Sequence, residues 1–249
     1  MSALRAKCPD CRTVTAVALG GDYQCHSCGR EFAAGLVRVP RAWGDGGETM
    51  ADATRLDLPW PEAATVEEDT LAEQTEATGR ALPVRPLVLG GCCCSHIGAV
   101  RELARRHGRV GVVWIDAHGD LNTPDTSPSG NAWGMPLRML IDAGDGAAAD
   151  VILLGARNLD PPEQAFIADA GIREELGELP ETVYVALDCD VIRPGDLDVF
   201  MPEPGGPSVG ALEALLRTIP RPAGAGLTGL VWSERNEALL PLLGAALRL

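Results

Sequence analysis

The chain has 249 residues, of which 46% are hydrophobic and only 4% aromatic, and its formal net charge is -14 with a pI of about 4.7. That length accommodates one sizeable domain and a small appendage. The acidic balance argues against a nucleic-acid or membrane-surface binder, and it is compatible with a small cationic substrate. The sequence contains no run of 18 apolar residues and no signal-peptide segment. We therefore expect no membrane association and a cytoplasmic location, in which the eight cysteines stay reduced.

Two Cys-x-x-Cys pairs near the N-terminus are separated by thirteen residues, which is close to the spacing of a closed tetrahedral zinc site. Between the pairs we expect a strand at 14–19, a turn at Gly20–Asp22 and a second strand from Tyr23. Residues 1–35 thus resemble a zinc ribbon, in which one structural zinc ion supplies folding energy that so small a core lacks. Because basic residues are few, a protein contact or an intramolecular cap is favoured over nucleic-acid binding. The cysteines are Cys8, Cys11, Cys25 and Cys28.

Residues 36–85 carry a weaker pattern and are interpreted as a linker with an altered first βα unit. The stretch 65–68 contains two acidic residues and is typical of a helix start, because the helix dipole favours carboxylates there. We expect that helix to continue through 72–81. Residues 86–249 show stronger signals and are predicted to form the main domain. Its predicted strands are 87–91, 110–115, 151–154, 183–187 and 227–232, and its predicted helices include 99–107 and 209–218.

The strongest chemical signal follows the apolar run 110–115, where Asp116, His118 and Asp120 are spaced by two. Side chains two apart on an extended segment point the same way, so two carboxylates and an imidazole converge. Carboxylates held together repel each other, and a divalent cation removes that cost. Mixed imidazole and carboxylate ligands suit manganese, zinc or iron.

A second acidic pair, Asp188 and Asp190, follows the apolar run 183–187. Sites in open α/β sheets lie outside the carboxyl ends of the strands, so both acidic groups are expected at one edge of the sheet. A single Asp-x-Asp pair is also typical of a turn or a helix cap. Two such pairs, with a histidine inside the first, favour a site for two metal ions.

These residues carry a family resemblance. Asp-Ala-His-Gly-Asp-Leu-Asn-Thr-Pro at 116–124, followed by Ser-Gly-Asn-Ala-Trp-Gly-Met-Pro at 129–136, resembles the signature of the arginase/agmatinase (ureohydrolase) family. Leu-Asp-Cys-Asp-Val at 187–191 is similar to that family's second metal motif. The likeness runs from about residue 87 to the C-terminus. It implies an α/β fold of three αβα layers with a mainly parallel sheet, and two divalent ions, usually Mn²⁺, whose bridging hydroxide attacks a guanidinium or amidine carbon.

The first metal position departs from the family pattern. Relatives have a histidine ligand in the glycine turn after the strand at 87–91, and Cys93 takes that place here. A thiolate is a softer ligand, which favours Zn²⁺ or Fe²⁺ over Mn²⁺. His96 is an alternative ligand, and a third interpretation is that these cysteines only pack at a helix start. The metal ligands that the resemblance implies are Cys93, Asp116, His118, Asp120, Asp188 and Asp190.

The resemblance also implies substrate contacts. Asn122, Ser129 and Asn131 match positions that hold the carboxylate of an amino-acid substrate. Asp160 matches a contact to the α-amino end, although a helix cap before Pro161 fits the sequence equally well.

Two implied roles concern the reacting end of the substrate. Glu234 matches a carboxylate that pairs with the guanidinium group, and the alternative is a surface glutamate. Asp120 and Glu234 are therefore the candidate catalytic residues. Trp133 stands where many relatives carry a proton-shuttling histidine, and an indole cannot take that role. It is expected to form an aromatic wall instead, which favours a substrate other than arginine.

The sequence thus predicts a metal-dependent hydrolase of a linear guanidine or amidine C–N bond, whose partner is a small guanidino or amidino molecule. The alternative is a catalytically degenerate module that binds metal or a protein partner. Cys93 and Trp133 count for that alternative, because fold does not imply function. Two further departures from the family pattern do so as well: Asn158 replaces an Asp, and Arg193-Pro194 stands where the family usually has Asp-Pro. The sequence leaves open whether the chain forms a homo-oligomer.

Overall fold

A computed structural model describes residues 5–6, 8, 11, 13–19, 22–32 and 35–249. The N-terminal described residues form a small antiparallel sheet in the strand order β1-β2-β3-β4. Its strands are β1 (Arg5–Ala6), β2 (Ala16–Leu19), β3 (Asp22–Cys25) and β4 (Glu31–Phe32). Gly20 and Gly21, in the predicted turn between β2 and β3, lie outside the described residues.

The rest of the chain builds a seven-stranded parallel sheet. Across the sheet its strands are β6 (Glu62–Thr65), β5 (Gly35–Val39), β7 (Pro86–Gly90), β11 (Gly224–Thr228), β10 (Thr182–Asp188), β8 (Val110–Ile115) and β9 (Val151–Leu154). Every residue of β7, β8, β9 and β11 is buried, as expected for parallel strands covered on both faces.

Helices cover both faces of this sheet. They are α1 (Glu48–Ala53), α2 (Leu71–Ala81), α3 (Ser95–His107), α4 (Pro136–Ala143), α5 (Pro161–Ala170), α6 (Val209–Thr218) and α7 (Glu234–Ala246). Alternate residues of a strand point to opposite faces. In β8, Val113 and Ile115 share a core with α6 and α7, whereas Val112 and Trp114 share a second core with α3 and α4. The predicted three-layer αβα fold with a mainly parallel sheet is confirmed.

Several predicted element boundaries are wrong. The helix predicted at 99–107 begins four residues earlier, at Ser95. The predicted helix start at 65–68 is displaced, because 62–65 is the edge strand β6 and α2 begins at Leu71. Thr70 caps α2, since its hydroxyl accepts the Glu73 N–H at 3.2 Å. The strand predicted at 227–232 ends early, because β11 stops at Thr228 and Gly229 turns the chain with a φ of 73°.

The segment 36–85, predicted as a linker with an altered first βα unit, is mostly structured. It contains β5, α1, β6 and α2, and its two strands extend one side of the large sheet. The sheet therefore starts at Gly35, earlier than the predicted start of the main domain at residue 86.

The small N-terminal sheet contacts the large domain at the amino ends of the parallel strands. The Val84 N–H donates to the Tyr23 hydroxyl at 3.0 Å, just before β7 begins. Asp22 forms ion pairs with Arg85 and Arg221, at 3.4 and 3.5 Å. This edge lies opposite the carboxyl ends of the same strands. Within the described residues, no helix is long and apolar enough to cross a membrane.

Candidate metal centre

The predicted acidic residues meet in one cavity at the carboxyl edge of the large sheet. The cavity has a volume of about 190 Å³ and lies where β7, β11, β10 and β8 end side by side. Strands that neighbour each other in the sheet but not in the chain bring distant residues together here. The ligand-type residues that line the cavity are Cys92, Cys93, Asp116, His118, Asp120, Asp160, Glu163, Asp188 and Asp190.

Asp116 lies at the centre of this group, immediately after β8. Its Oδ1 accepts the His118 backbone N–H at 2.8 Å, and its Oδ2 accepts the Trp114 indole N–H at 3.2 Å. The side chain of Asp116 is almost completely buried. These two hydrogen bonds fix the orientation of the buried carboxylate.

The pair after β10 approaches from the neighbouring strand. Asp188 Oδ1 accepts the Asp190 N–H at 3.0 Å, which begins the short 3-10 turn Cys189–Val191. Asp190 Oδ1 accepts the Ala117 N–H at 3.2 Å, and its Oδ2 lies 3.0 Å from His118 Nδ1. His118 Nδ1 is also 3.4 Å from Asp116 Oδ1. The imidazole therefore faces both acidic segments.

Cys93 approaches from the loop after β7. Its Sγ donates to Asp188 Oδ2 at 2.9 Å and lies 3.7 Å from Asp116 Oδ2. His96, the alternative ligand, is wholly buried one turn further on in α3 and is not among the described residues that line the cavity. Both of its ring nitrogens have partners, Tyr184 at 3.0 Å and Thr228 at 3.3 Å.

The carboxylates of the cavity show the cost of crowding negative charge in a buried place. Burial, followed by the charge of Asp116, raises the pKa of Asp188 to about 6 and the pKa of Asp120 well above its usual value. Burial lowers the pKa of His118, but its hydrogen bonds with Asp116 and Asp190 outweigh that effect and bring its pKa to about 12. The cluster thus favours positive charge within it.

Asp120 gives a second sign that a cation fits. It has a φ of 53°, in the left-handed region that non-glycine residues seldom adopt. Within the described part of the chain, its buried Oδ2 has no hydrogen-bond partner. A buried carboxylate oxygen without a partner is costly unless something absent from the protein chain pairs with it.

The donor atoms fall into two sets that share Asp116. Within each set, one ligand atom per residue lies within 4.8 Å of the others. A thiol with two carboxylates, and an imidazole with two carboxylates, are both competent donor sets for a divalent ion. The donor chemistry of each set fits a divalent ion, and Asp116 belongs to both sets. The sets are Cys93, Asp116 and Asp120, and Asp116, His118 and Asp190.

Four of the five residues implied in substrate binding line the cavity, and Asn131 is not among the described residues that do. Asn122 donates to Asp160 Oδ2 at 2.8 Å, and Asp160 caps α5. Asp160 also lines the cavity, and its contact with a substrate stays a prediction. Ser129 lines the cavity, and Asn131 beside it accepts the Asp45 N–H at 3.0 Å. Trp133 lines the cavity as well, with its ring edge-to-face on Phe200 at 5.9 Å.

Glu234 is the one predicted catalytic residue that the fold does not bring to this group. It is exposed at the first position of α7, and it is not among the described residues that line the cavity. The chain turns away at Gly229, before Glu234 could continue the line of β11. Its assignment to the guanidinium group stays a prediction from the resemblance.

Three polar residues at the site were missed by sequence reasoning. Glu203 Oε1 lies 3.4 Å from His118 Nε2 and accepts the Asn158 amide N–H at 3.0 Å. Glu163 accepts the Leu121 and Asp160 backbone N–H groups, both at 2.9 Å. Thr228 lies 3.2 Å from Cys93 Sγ. Glu163 had a local signal, because it follows Asp160 by three residues as in a capping box; the other two meet the site only in the folded chain.

The four N-terminal cysteines also come together. Cys8 Sγ is 3.5 Å from Cys28 Sγ, Cys11 Sγ is 3.5 Å from Cys25 Sγ, and all four sulfur atoms lie within 4.8 Å of one another. A hydrogen bond with Thr15 lowers the pKa of Cys25 to about 5. The arrangement suits a tetrahedral zinc ion, which binds the thiolate form.

Comparison with known proteins agrees with this architecture. A model of the arginase family matches residues 43–174, more than half of the chain. The chain is 36% identical over 159 residues to the arginase of Bacillus caldovelox, covering 51% of this chain and 52% of that protein. It is 32% identical over 162 residues to arginase-1 of Homo sapiens, covering 51% and 49%. It thus spans about half the length of these curated relatives.

The similarity of the fold extends further than the similarity of the sequence. The crystal structure of arginase from Bacillus subtilis superposes with a TM-score of 0.72 at 22% identity, covering 86% of this chain and 95% of that one. The residues that match the family model include Asp116, His118 and Asp120. Asp188 and Asp190 lie outside that match and reach the same cavity because β10 pairs with β8 in the parallel sheet. The chain belongs to the arginase family.

Proposed function

We propose that this protein is a metal-dependent hydrolase that cleaves the C–N bond of a small linear guanidine or amidine. The observation that carries the proposal is the pair of donor sets joined through Asp116, in a cavity where Asp120 Oδ2 is buried without a partner among the described residues. The family to which the chain belongs, and the arginase activity named for its relatives, support the same reaction class.

Two divalent ions would be held by Cys93, Asp116, His118, Asp120, Asp188 and Asp190. When bound, such ions act as Lewis acids and lower the pKa of a water molecule toward neutrality. Mn²⁺ is the ion that the family resemblance implies, and the Cys93 sulfur makes Zn²⁺ or Fe²⁺ competent as well.

The reaction adds one water molecule across the bond. The water oxygen bonds to the central carbon, the C–N bond to the substituted nitrogen breaks, and that nitrogen leaves with a proton as an amine. A guanidine then yields urea and an amine. We propose that Asp120 Oδ2 takes the proton of the attacking water, since it is buried in the cavity wall and unpaired within the described chain.

The remaining residues would bind and orient the substrate. Asn122, Ser129 and Asp160 line the cavity, and the Asn122 amide donates to Asp160 Oδ2. Asn131 is not among the described residues that line it, and its contact with the substrate is proposed from the family resemblance alone. Trp133 and Phe200 form an aromatic wall there, and such a wall can attract a cationic group through its ring face. We propose that this wall, in place of a proton shuttle, selects a substrate other than arginine.

The test is an assay for urea and ammonia with the purified chain, supplied in turn with Mn²⁺ and Zn²⁺ and with a panel of guanidines and amidines. We expect release from at least one substituted guanidine, and its loss in Asp120→Asn. The double variant Cys93→His with Trp133→His restores the groups of many relatives, and it should raise arginine or agmatine hydrolysis about 10²–10⁴-fold. A wild type and double variant that bind two ions, yet release no product from any compound, would contradict the proposal.

A second candidate function is a non-catalytic module that binds metal or a protein partner. The exposed position of Glu234 and the loss of a shuttle at Trp133 favour it. The same assay separates the two, because this candidate requires bound ions and no turnover.

We also propose that Cys8, Cys11, Cys25 and Cys28 hold one structural zinc ion, and that residues 1–35 form a separate ribbon segment. The closeness of the four sulfur atoms supports this assignment. Removing that segment should lower the zinc content by one equivalent, and unchanged zinc content would contradict it.

A further inference from the structure

We infer that the two ion positions are chemically unequal, and that a buried hydrogen-bond chain of Thr228, His96 and Tyr184 positions Cys93 to hold a thiophilic ion such as Zn²⁺. The second position, at Asp116, His118 and Asp190, would hold a harder ion such as Mn²⁺. The inference rests on the proposed two-ion centre and specifies its two ions.

The chain of contacts runs inward from β10 to the loop after β7. Tyr184 Oη lies 3.0 Å from His96 Nδ1, and His96 Nε2 lies 3.3 Å from Thr228 Oγ1. Thr228 Oγ1 lies 3.2 Å from Cys93 Sγ. Tyr184, His96 and Thr228 are each 0% exposed, and Cys93 is 3% exposed. A fully buried polar chain of this kind holds its members in one arrangement.

The hydrogen bonds from Tyr184 to His96 and on to Thr228 can all run in the same direction, toward the Cys93 sulfur atom. His96 is neutral because burial lowers its pKa to about 3, so one ring nitrogen donates and the other accepts. If the Tyr184 hydroxyl donates to Nδ1, then Nε2–H donates to the Thr228 oxygen, and the Thr228 hydroxyl keeps its own proton to donate. Its acceptors are Cys93 Sγ at 3.2 Å, Asp188 Oδ2 at 3.3 Å and the Leu187 carbonyl at 3.4 Å, so Cys93 Sγ is the nearest of the three. A donor aimed at the sulfur stabilises it as a negatively charged ligand.

A glycine in β11 leaves the space that this hydrogen-bond chain occupies. Gly226 lies in the middle of β11, where an added Cβ would come within 2.5 Å of His96 Nδ1 and 2.6 Å of Tyr184 Oη. A glycine inside a strand often marks such a close approach. The Trp114 ring packs against His96 edge-on at 5.3 Å and completes the enclosure.

The other ion position has a different chemistry. Its donors are one imidazole nitrogen and carboxylate oxygens, with no sulfur in the set formed by the described residues. The outer nitrogen of His118 faces the Glu203 carboxylate at 3.4 Å. Thiolate selects soft ions such as Zn²⁺, whereas carboxylate oxygens suit Mn²⁺. One shared carboxylate, Asp116, therefore separates a sulfur-containing site from a nitrogen- and oxygen-containing site.

The experiment offers Zn²⁺ and Mn²⁺ together to the full-length, metal-depleted protein and measures both by elemental analysis after dialysis. Beyond the ribbon zinc, we expect one zinc and one manganese. Cys93→Ser should lose that additional zinc and keep the ribbon zinc. Thr228→Val, which replaces the hydroxyl with a methyl group of similar size, should weaken zinc binding at this position about 10–100-fold and leave manganese affinity unchanged. Thr228→Ser keeps the hydroxyl and should bind zinc like the wild type.

Cobalt(II) supplies an independent spectroscopic measurement. A cobalt–thiolate bond absorbs in the near ultraviolet, and the difference spectrum between wild type and Cys93→Ser isolates this cysteine from the four in the ribbon. Thr75→Val is the matched control, because Thr75 is a buried threonine in α2 that donates to the Leu71 carbonyl, outside the centre. It should leave both the spectrum and the metal content unchanged.

The outcomes separate this inference from the proposed function. Equal zinc and manganese preferences at both positions, or no difference band for Cys93→Ser, would overturn the inference while leaving a two-ion hydrolase intact. Weakened zinc binding in Thr75→Val as large as in Thr228→Val would overturn the role of the hydrogen-bond chain. No binding of either ion outside the ribbon would overturn the inference and the proposed function together.

Discussion

The molecule contains two groups of metal-ligand residues that are built in opposite ways. The N-terminal group takes four cysteines from a stretch of 21 residues, Cys8 to Cys28, on a small antiparallel sheet. The group at the edge of the large sheet takes its ligands from the ends of β7, β8 and β10, from Cys93 to Asp190. The first group has almost no core of its own, whereas the second lies between two extensive cores.

This difference predicts that the N-terminal segment needs its ion in order to fold, whereas the large domain folds without one. In a segment with so few buried apolar residues, the energy of binding zinc is the energy of folding, about 10–16 kcal/mol for zinc-finger peptides at neutral pH. At the sheet edge, the fold holds carboxylates together at a cost, and an ion relieves that cost without being needed for the sheet. Each of the following changes tests one side of this comparison.

The largest effect is expected at the carboxylate shared by both ion positions. Asp116→Ala should abolish binding of both ions and reduce any hydrolysis to the level seen without added metal, because each donor set loses a member. Elemental analysis and the urea assay measure this. Asp142→Ala, at an exposed carboxylate that pairs with Arg138, is the control. Retention of one tightly bound ion would mean that Asp116 does not bridge the two sets.

Next in size is the loss of the ribbon. Cys25→Ser should remove one zinc equivalent and make the N-terminal segment sensitive to protease, while the large domain keeps its helical circular dichroism. Any hydrolysis should change less than about twofold, because Tyr23 and Asp22 contact the opposite edge of the sheet from the cavity. A loss of activity as large as that of Asp116→Ala would show that the ribbon supports the catalytic edge.

A smaller effect is expected from Glu203, which lies against the outer nitrogen of His118. Partners that orient a metal-bound histidine typically contribute 10–100-fold to metal affinity. Glu203→Gln should therefore weaken one of the two ions by about that factor, measured by titration calorimetry with Mn²⁺. Glu213→Gln, on α6 beside Arg217, is the matched surface control. Unchanged affinity for both ions would remove Glu203 from the centre.

The smallest effect is expected at Glu234. Because it is exposed and outside the lining of the cavity, Glu234→Ala should lower kcat/KM less than tenfold. A carboxylate that pairs directly with the substrate guanidinium would instead lower kcat/KM by about 10- to 150-fold, since hydrogen bonds to charged groups contribute about 1.5–3 kcal/mol. Such a loss would restore the role that the family resemblance implies.

Much of the fold could be predicted from local pattern. The apolar runs at 110–115 and 151–154 coincide with β8 and β9, and the amphipathic stretch 209–218 coincides with α6. Prediction was weakest at 62–70, where a short edge strand of Glu, Ala and Thr precedes a helix. An edge strand needs little apolar character, so its sequence gave no period to separate it from a helix start.

The sequence by itself determined the chemistry available: two acidic pairs after buried strands, four cysteines at zinc spacing, and a cysteine where relatives have histidine. Only the tertiary structure decided which groups share a site. The strand order sets β11 between β7 and β10. Thr228, at the end of β11, therefore lies beside Cys93, which is 135 residues away in the sequence, and beside Asp188, which is 40 residues away. The turn at Gly229 directs Glu234 outward, although its motif resembles a substrate contact. Residue type and spacing act along the chain, whereas proximity across strands depends on packing and topology, which local pattern does not encode.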